Sequence, residues 1–414
     1  MAIERPGTGA PDTSEYTPES RGSFWRDLSV VHAASAVVGF LFAASGPLAI
    51  VLATGTKGGL SEADLASWVF GSFFFNGIAS IVFSLFWRQP LAFFWTIPGT
   101  VLIGPALVHL TFPQVIGAYI ATGLLMLALG ALGWVGRVMA IMPMPIVMGM
   151  VAGVFLQFGL DWIFALRDGL WIAAPMTAAF LLVSAIAPLA RYFPPLIAAL
   201  IAGAAAITYV APFALPLDPA GMLAAPRLHA PEFSLPALAE LVVPLAVTVL
   251  LVQNAQGIAI LAAAQHAAPV NAIAVACGIS SIVAAFVGAV STCLTGPVNA
   301  IISAAGDRRT QYTAGVLVGV LAITFALFAP LLTRLMLSTP PAFIATLAGL
   351  AMLRVLQSAF AVAFQRRFTL GALVTFLVTV AAVPVLNIGA PFWALLAGMA
   401  VSLLLERDDW RARE

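Results

Sequence analysis

Trp95-Thr96-Ile97-Pro98-Gly99-Thr100 and, some 200 residues later, Cys293-Leu294-Thr295-Gly296-Pro297-Val298-Asn299 interrupt two apolar runs with the same chemistry. Each places Thr-x-Pro, with a glycine beside the proline, inside a segment that should cross a bilayer. A proline within a helix lacks its N–H and clashes with the preceding turn, so one helix stops and another can start. A threonine just before the restart can cap the new N-terminus. Two readings follow: a pair of proline kinks with a packing role only, or a matched pair of broken helices. Matched interruptions in the two halves of a membrane protein are the strongest sequence pointer to a transporter's binding site.

The surrounding composition sets the class. The chain has 414 residues, 62% of them hydrophobic and 8% charged, with a mean hydropathy of +1.06. A soluble domain carries about 25% charged residues. Apolar runs long enough to span a bilayer recur along the whole length. They are continuously apolar rather than alternating, which excludes a β-barrel. An all-α polytopic membrane protein is expected. Residues 1–28 are polar and lack an apolar core, so they read as a disordered tail and not a signal peptide. The two cysteines, Cys277 and Cys293, have no metal-ligand neighbours, and neither a metal nor a cofactor is expected. A net charge of +1 gives no reason to expect nucleic acid.

Fourteen membrane segments are expected, at 29–53, 63–87, 91–109, 114–136, 139–160, 170–189, 193–212, 237–261, 270–288, 290–304, 312–335, 340–363, 368–385 and 388–405. The third and tenth carry the breaks. With the N-terminus inside, thirteen of the eighteen Lys and Arg fall on the cytoplasmic side, among them Arg88, Arg137, Arg191, Arg308, Arg309, Arg366 and Arg367. Lys57, Arg167, Arg227 and Arg334 fall outside. This asymmetry places both termini in the cytoplasm. The longest connection, 213–236, is external and separates 29–212 from 237–405, with a short cytoplasmic tail at 406–414.

Echoes relate these halves. Arg137 precedes Pro143, Pro145 and Ala152-Gly153; Arg334 precedes Pro340, Pro341 and Ala348-Gly349. Pro195 to Gly203 resembles Pro391 to Gly398. Seven spans per half force the two repeats into opposite orientations, the inverted-repeat plan of secondary transporters.

A broken helix frees backbone N–H groups where water cannot satisfy them, so they must face a cavity or a ligand. A helix N-terminus carries roughly half a positive charge. Two restarted helices facing each other near the midplane, capped by Thr96 and Thr295, would hold a carboxylate with no Lys or Arg beside it. Trp95 stands at the first break, where an aromatic substrate can stack on it; the competing reading is a lipid or core ring. Gln253, Asn254 and Gln256 put three amides within four residues of the eighth span. Amides in hydrocarbon demand partners, either the substrate and the broken helices or neighbouring helices. Ser45, in Ser-x-Pro of the first span, is expected to border the same cavity. Arg354 is the one charge well inside a span, and it either attracts an anion or reaches toward the cytoplasm. No acid is expected at midplane depth: Glu240 and Asp161 lie near span ends, as do His32, His109 and His266, while His229 lies in the long loop. No enzymatic motif is present, and there is no room for a nucleotide domain.

The stretch Gln253-Asn254-Ala255-Gln256-Gly257-Ile258, followed by Ala268-Pro269-Val270, resembles the benzoate:proton symporter (BenE) family. The Trp95-x-x-Pro98-Gly99 break and the Gly-rich end near Trp393 fit the same resemblance, which covers 29–405. Members are similar in architecture to uracil permease and sulfate-transporter-like carriers. The resemblance implies a core domain (29–136 with 237–335) moving against a gate domain (137–212 with 336–405), usually in a dimer. Its site would comprise Trp95, Thr96, Pro98, Gly99 and Thr100, then Gln253 and Asn254, then Thr292, Cys293, Thr295, Gly296 and Asn299. Nucleobase permeases place an acid in the eighth span; Gln253 and Asn254 stand here instead. That favours a substrate bringing its own negative charge.

The expectation is therefore a multi-pass transporter of the bacterial inner membrane that imports benzoate or a related aromatic carboxylate with a proton, by elevator-type alternating access. A carrier or channel for another small anion, and a nucleobase permease of the same fold, remain as alternatives.

Overall fold

In a computed structural model the chain is a bundle of α-helices, described for residues 23–186, 193–210, 221–304, 306–383, 385 and 390–412. The expected N-terminal tail lies outside the described residues up to 22, and Phe24–Asp27 forms one helical turn. Residues 213–220 of the expected external linker also lie outside them, as do Arg5, Arg21, Arg191 and Arg413.

Local chemistry sets the helix starts. Ser29, Ser61, Thr96 and Ser234 each accept an amide from the first turn of the helix they precede. Pro98, Pro145 and Pro297 sit in first turns, where a missing N–H is harmless. Among the described residues, six helices are long and apolar enough to cross a membrane, and a seventh is reached if Tyr312–Leu327 and Ala329–Leu337, bent by 70°, count as one span. Six further apolar helices run 10–17 residues. The chain is thus a mostly helical, polytopic membrane protein.

Two expected spans are not straight. The segment 29–53 turns at Ser45, between Val30–Ala44 and Gly46–Lys57. The segment 312–335 bends at Phe328, because Pro330 has no N–H to continue the ladder.

The broadest helix contacts pair Pro341–Ala363 with Met144–Asp168, Tyr312–Leu327 with Glu62–Trp87, and Val270–Ala285 with Phe112–Ala131. Glycines permit the last two crossings: a Cβ on Gly77 would lie 2.8 Å from the Gly319 carbonyl oxygen, and one on Gly123 would lie 3.0 Å from that of Gly278. Between these helices, β1 (Phe93–Trp95) and β2 (Thr292–Leu294) pair antiparallel, with Phe94 opposite Cys293.

Candidate functional site

The two interruptions meet. Each chain runs through a three-residue strand and then starts a helix, Ile97–Ala106 after β1 and Gly296–Ile302 after β2. Because the strands are antiparallel, the helices leave from opposite ends of the sheet. Thr96 and Thr295 are then separated by about four strand residues, roughly 13 Å.

The hydrogen bonds around this sheet come in matched pairs. Thr96 N donates to Ser291 O (2.9 Å), and Thr295 N donates to Ala92 O (3.2 Å). The first amide of each strand donates to a serine hydroxyl: Phe93 N to Ser80 Oγ (2.8 Å) and Thr292 N to Ser281 Oγ (2.9 Å). Thr100 Oγ1 donates to Thr96 O, and Asn299 Nδ2 to Thr295 O. Backbone at this depth has no water to turn to, so side chains must take its polar groups. Ser80→Ala and Ser281→Ala each leave a buried strand N–H without an acceptor. Each is expected to lower stability by about 1–3 kcal/mol, read as a fall in the thermal unfolding midpoint of purified protein.

Several expected ligand-binding side chains are occupied in holding this sheet. Asn299, fully buried, donates from Nδ2 to Ala92 O (3.0 Å) and accepts Ala92 N at Oδ1 (3.0 Å). Asn254 Oδ1 accepts Leu294 N (2.7 Å), and its Nδ2 lies 3.5 Å from Cys277 Sγ. Thr292 Oγ1 donates to Asn76 Oδ1 (2.7 Å). Cys293 is fully buried. Thr96 Oγ1 caps Gly99 N (3.2 Å) and donates to Thr248 Oγ1 (3.2 Å). Thr295 makes no capping bond with its side chain, so the cap expected there is absent. The amide it would have taken, Val298 N, is the first one available after Pro297.

A cavity of about 680 Å³ opens on these elements. Its wall includes Ile97 and Pro98 at the start of one short helix, Pro297 at the start of the other, and Gln253 and Gln256. Gln253 is 7% exposed and its side chain bonds no described residue. Gly296 leaves space that Gln256 fills, since a Cβ there would sit 2.5 Å from Gln256 Oε1. Phe42, Phe155 and Phe180 supply aromatic surface, and Arg354 stands exposed at the rim, 3.2 Å from Gln357 Oε1. The volume and the mostly apolar wall with few polar groups suit a small organic ligand. Trp95 is elsewhere. It is 2% exposed, meets Phe73 edge-on at 5.0 Å, and keeps its Nε1 buried without a partner. Ser45 is buried beside the wall, where Pro47 reaches the cavity.

A second cavity, of about 540 Å³, lies toward the opposite end of the same helices. Phe155 and Phe158, less than a turn apart on Met144–Asp168, wall the first and the second respectively. Lys57 and His109 line the second, and Lys57 pairs with Asp161.

Three features escaped the sequence. The eighth segment is not a plain helix: Thr248–Asn254 is π-helical and holds Gln253 and Asn254. Such bulges are frequent at functional sites, and Pro244 just upstream is the only local signal. Ser80 and Ser281 were readable from the echo Gly77-Ile-Ala-Ser-Ile-Val82 and Gly278-Ile-Ser-Ser-Ile-Val283. Glu240, expected to be easily solvated at a span end, is 2% exposed, with Oε2 2.8 Å from His109 Nε2. In the connection between 261 and 270, His266 is kept below its ordinary pKa by burial, and its Nε2 lies 2.7 Å from Gln311 Oε1.

A family model described as "Benzoate membrane transport protein" matches residues 26–404. The inner membrane protein YdcO of Escherichia coli (strain K12) is 29% identical over 87% of this chain and 93% of its own length. The benzoate membrane transport protein of Acinetobacter baylyi (strain ATCC 33305 / BD413 / ADP1) is 28% identical over 92% of this chain and 96% of its own. Among solved structures, the transmembrane domain of the cyanobacterial bicarbonate transporter BicA aligns with a TM-score of 0.58 at 15% identity, covering 89% of this chain and 96% of that one. The murine anion transporter Slc26a9 in its inward-facing state aligns at 0.60 and 14% identity, over 90% of this chain and 68% of that one. These two likenesses are of fold.

Proposed function

The chain belongs to the BenE family of benzoate membrane transport proteins, and we propose that it imports benzoate or a close aromatic carboxylate together with a proton. It is a membrane transporter and not an enzyme, as its relatives are. One observation carries the substrate reading: two helices that start in mid-chain begin at the same largely apolar cavity, beside the unbonded amide of Gln253. The carboxylate lies between those helix starts, where both positive dipole ends favour it, and accepts from Gln253. The ring lies among Phe42, Phe155 and Phe180, which take the part expected of Trp95. Apolar walls of this kind disfavour a hydrated inorganic anion, which would lose its water without replacement.

The architecture we propose is fourteen crossings in a seven-plus-seven inverted repeat. The support is the two-fold pairing around Phe94 and Cys293, where Ser80 and Ser281, or Thr100 and Asn299, play corresponding parts. The crossing of Glu62–Trp87 with Tyr312–Leu327 has its counterpart in Val270–Ala285 with Phe112–Ala131. With both termini cytoplasmic, the larger cavity opens inward, and the Lys57–Asp161 pair closes the outer side between core and gate. The core then slides against the gate, elevator fashion, carrying the site; a homodimer of gate domains would anchor that motion.

Proteoliposomes given an inward-directed proton gradient are expected to accumulate labelled benzoate. Unlabelled benzoate and salicylate compete; uracil and sulfate do not. Phe155→Ala is expected to raise KM for benzoate. Competition by sulfate or uracil in place of salicylate overturns the substrate class, and flux without saturation or trans-stimulation makes the protein a channel.

A further inference from the structure

We propose that Glu240 and His109 form the proton-binding site of this transporter, loaded from the second cavity; the inference rests on the proton-coupled reading above. Among the described residues, Glu240 is the only Asp or Glu that is buried. Its partner is a single imidazole, His109 Nε2, at 2.8 Å. His109 lines the second cavity, so the pair is closed toward protein and open toward that cavity. An acid held in this way inside a membrane protein is a proton-relay candidate, because its charge is tolerable only with a partner.

The position of the pair ties it to the substrate site. His109 follows the short helix Ile97–Ala106, whose other end begins at the first cavity. Glu240 lies on Leu235–Val247, which runs directly into the π-helical segment carrying Gln253. Glu240 and Gln253 are about 20 Å apart along this helix. The pair therefore clamps together, at their outer ends, the two elements whose inner ends receive the substrate. Gain of one proton from the cavity takes the net charge of the pair from −1 to 0 and changes the strength of that clamp. Differential interaction of this kind is what couples two sites.

The other groups around it are few. Phe112–Ala131, packed on Leu235–Val247, brings only Tyr119, whose buried hydroxyl has no partner. Gln114, at the start of that helix, is engaged with Glu232. Ala390–Leu405, Ile97–Ala106 and the π segment carry no ionisable side chain. Across the cavity stands Lys57, whose charge is paired with Asp161.

The test separates accumulation from exchange. Proteoliposomes containing wild type, Glu240→Gln or His109→Asn are assayed for benzoate accumulation driven by a proton gradient and for benzoate counterflow without one. The expected result is loss of gradient-driven accumulation in Glu240→Gln, with counterflow persisting and no longer dependent on pH. His109→Asn shifts the pH midpoint of accumulation. Accumulation that survives in Glu240→Gln, or counterflow lost along with it, overturns the proposal. Infrared difference spectra between acid and alkaline pH supply a readout independent of transport: a carboxyl band present in wild type and missing in Glu240→Gln. If wild type moves no aromatic acid but keeps this band, the substrate reading fails and the proton site stands. If the band is unchanged in Glu240→Gln, the proton site fails whatever the substrate.

Discussion

Asn299→Ala is expected to unfold far more readily than wild type and to abolish benzoate uptake. Beside the backbone pairing, the Asn299 carboxamide ties the second interruption to the first strand, with bonds to both the N–H and the C=O of Ala92 and to the C=O of Thr295. Alanine leaves Ala92 N–H buried without an acceptor and removes two donations, a loss of roughly 2–5 kcal/mol in all. The effect on transport exceeds the effect on stability, because the two helix starts depend on this tie for their spacing. The corresponding residue in the first half, Thr100, donates once to a carbonyl that already accepts a backbone amide. Thr100→Val is therefore expected to change stability by no more than about 1 kcal/mol. Thermal unfolding of purified protein and uptake into proteoliposomes measure both. Equal effects at the two positions, or wild-type uptake in Asn299→Ala, contradict this account of the sheet.

Gln253→Glu gives the second large effect, this time on substrate binding. The side chain borders the cavity and bonds no described residue, so the substitution breaks nothing. It does place a carboxylate where the substrate carboxylate is held. Two like charges about 4 Å apart repel by about 4 kcal/mol at an effective dielectric of 20, which corresponds to roughly a thousandfold weaker binding. The sign of the pH dependence follows. Protonation of the introduced carboxyl removes the repulsion, so benzoate uptake by the variant rises as pH falls, on top of any dependence seen in wild type. Vesicle uptake at several pH values measures this. An unaltered KM in Gln253→Glu moves the carboxylate away from Gln253.

Much of the fold was legible because membrane burial leaves coarse marks. Long apolar runs and sparse charge give a polytopic helical protein, and proline beside glycine locates Thr96 and Thr295 as the points where helices restart. Side-chain roles were harder to read. Asn254, Thr292 and Asn299 look like ligand groups, since any polar side chain in hydrocarbon needs a partner; here the partner is the strand backbone. The strands were invisible because three residues carry no periodicity, and their partner is far along the chain. Trp95 lies at the break in sequence, yet its ring packs beside Phe94 against Phe73 and does not reach the cavity wall. Glu240 looked solvated because distance from a span end says nothing about the loop and helices that cover it.

The pairing of Phe93 with Leu294 also bears on how the protein is made. A ribosome adding about 5–20 residues per second needs on the order of 10–40 s to reach the second strand after completing the first. Throughout that interval β1 has no sheet partner, and its amides and carbonyls cannot be left to lipid. The nascent first half must therefore linger in the insertion machinery, or in a provisional packing there, until its other half emerges. Release of a truncated chain that ends before residue 292 would hand the cell's quality-control proteases a molecule with an unfinished centre.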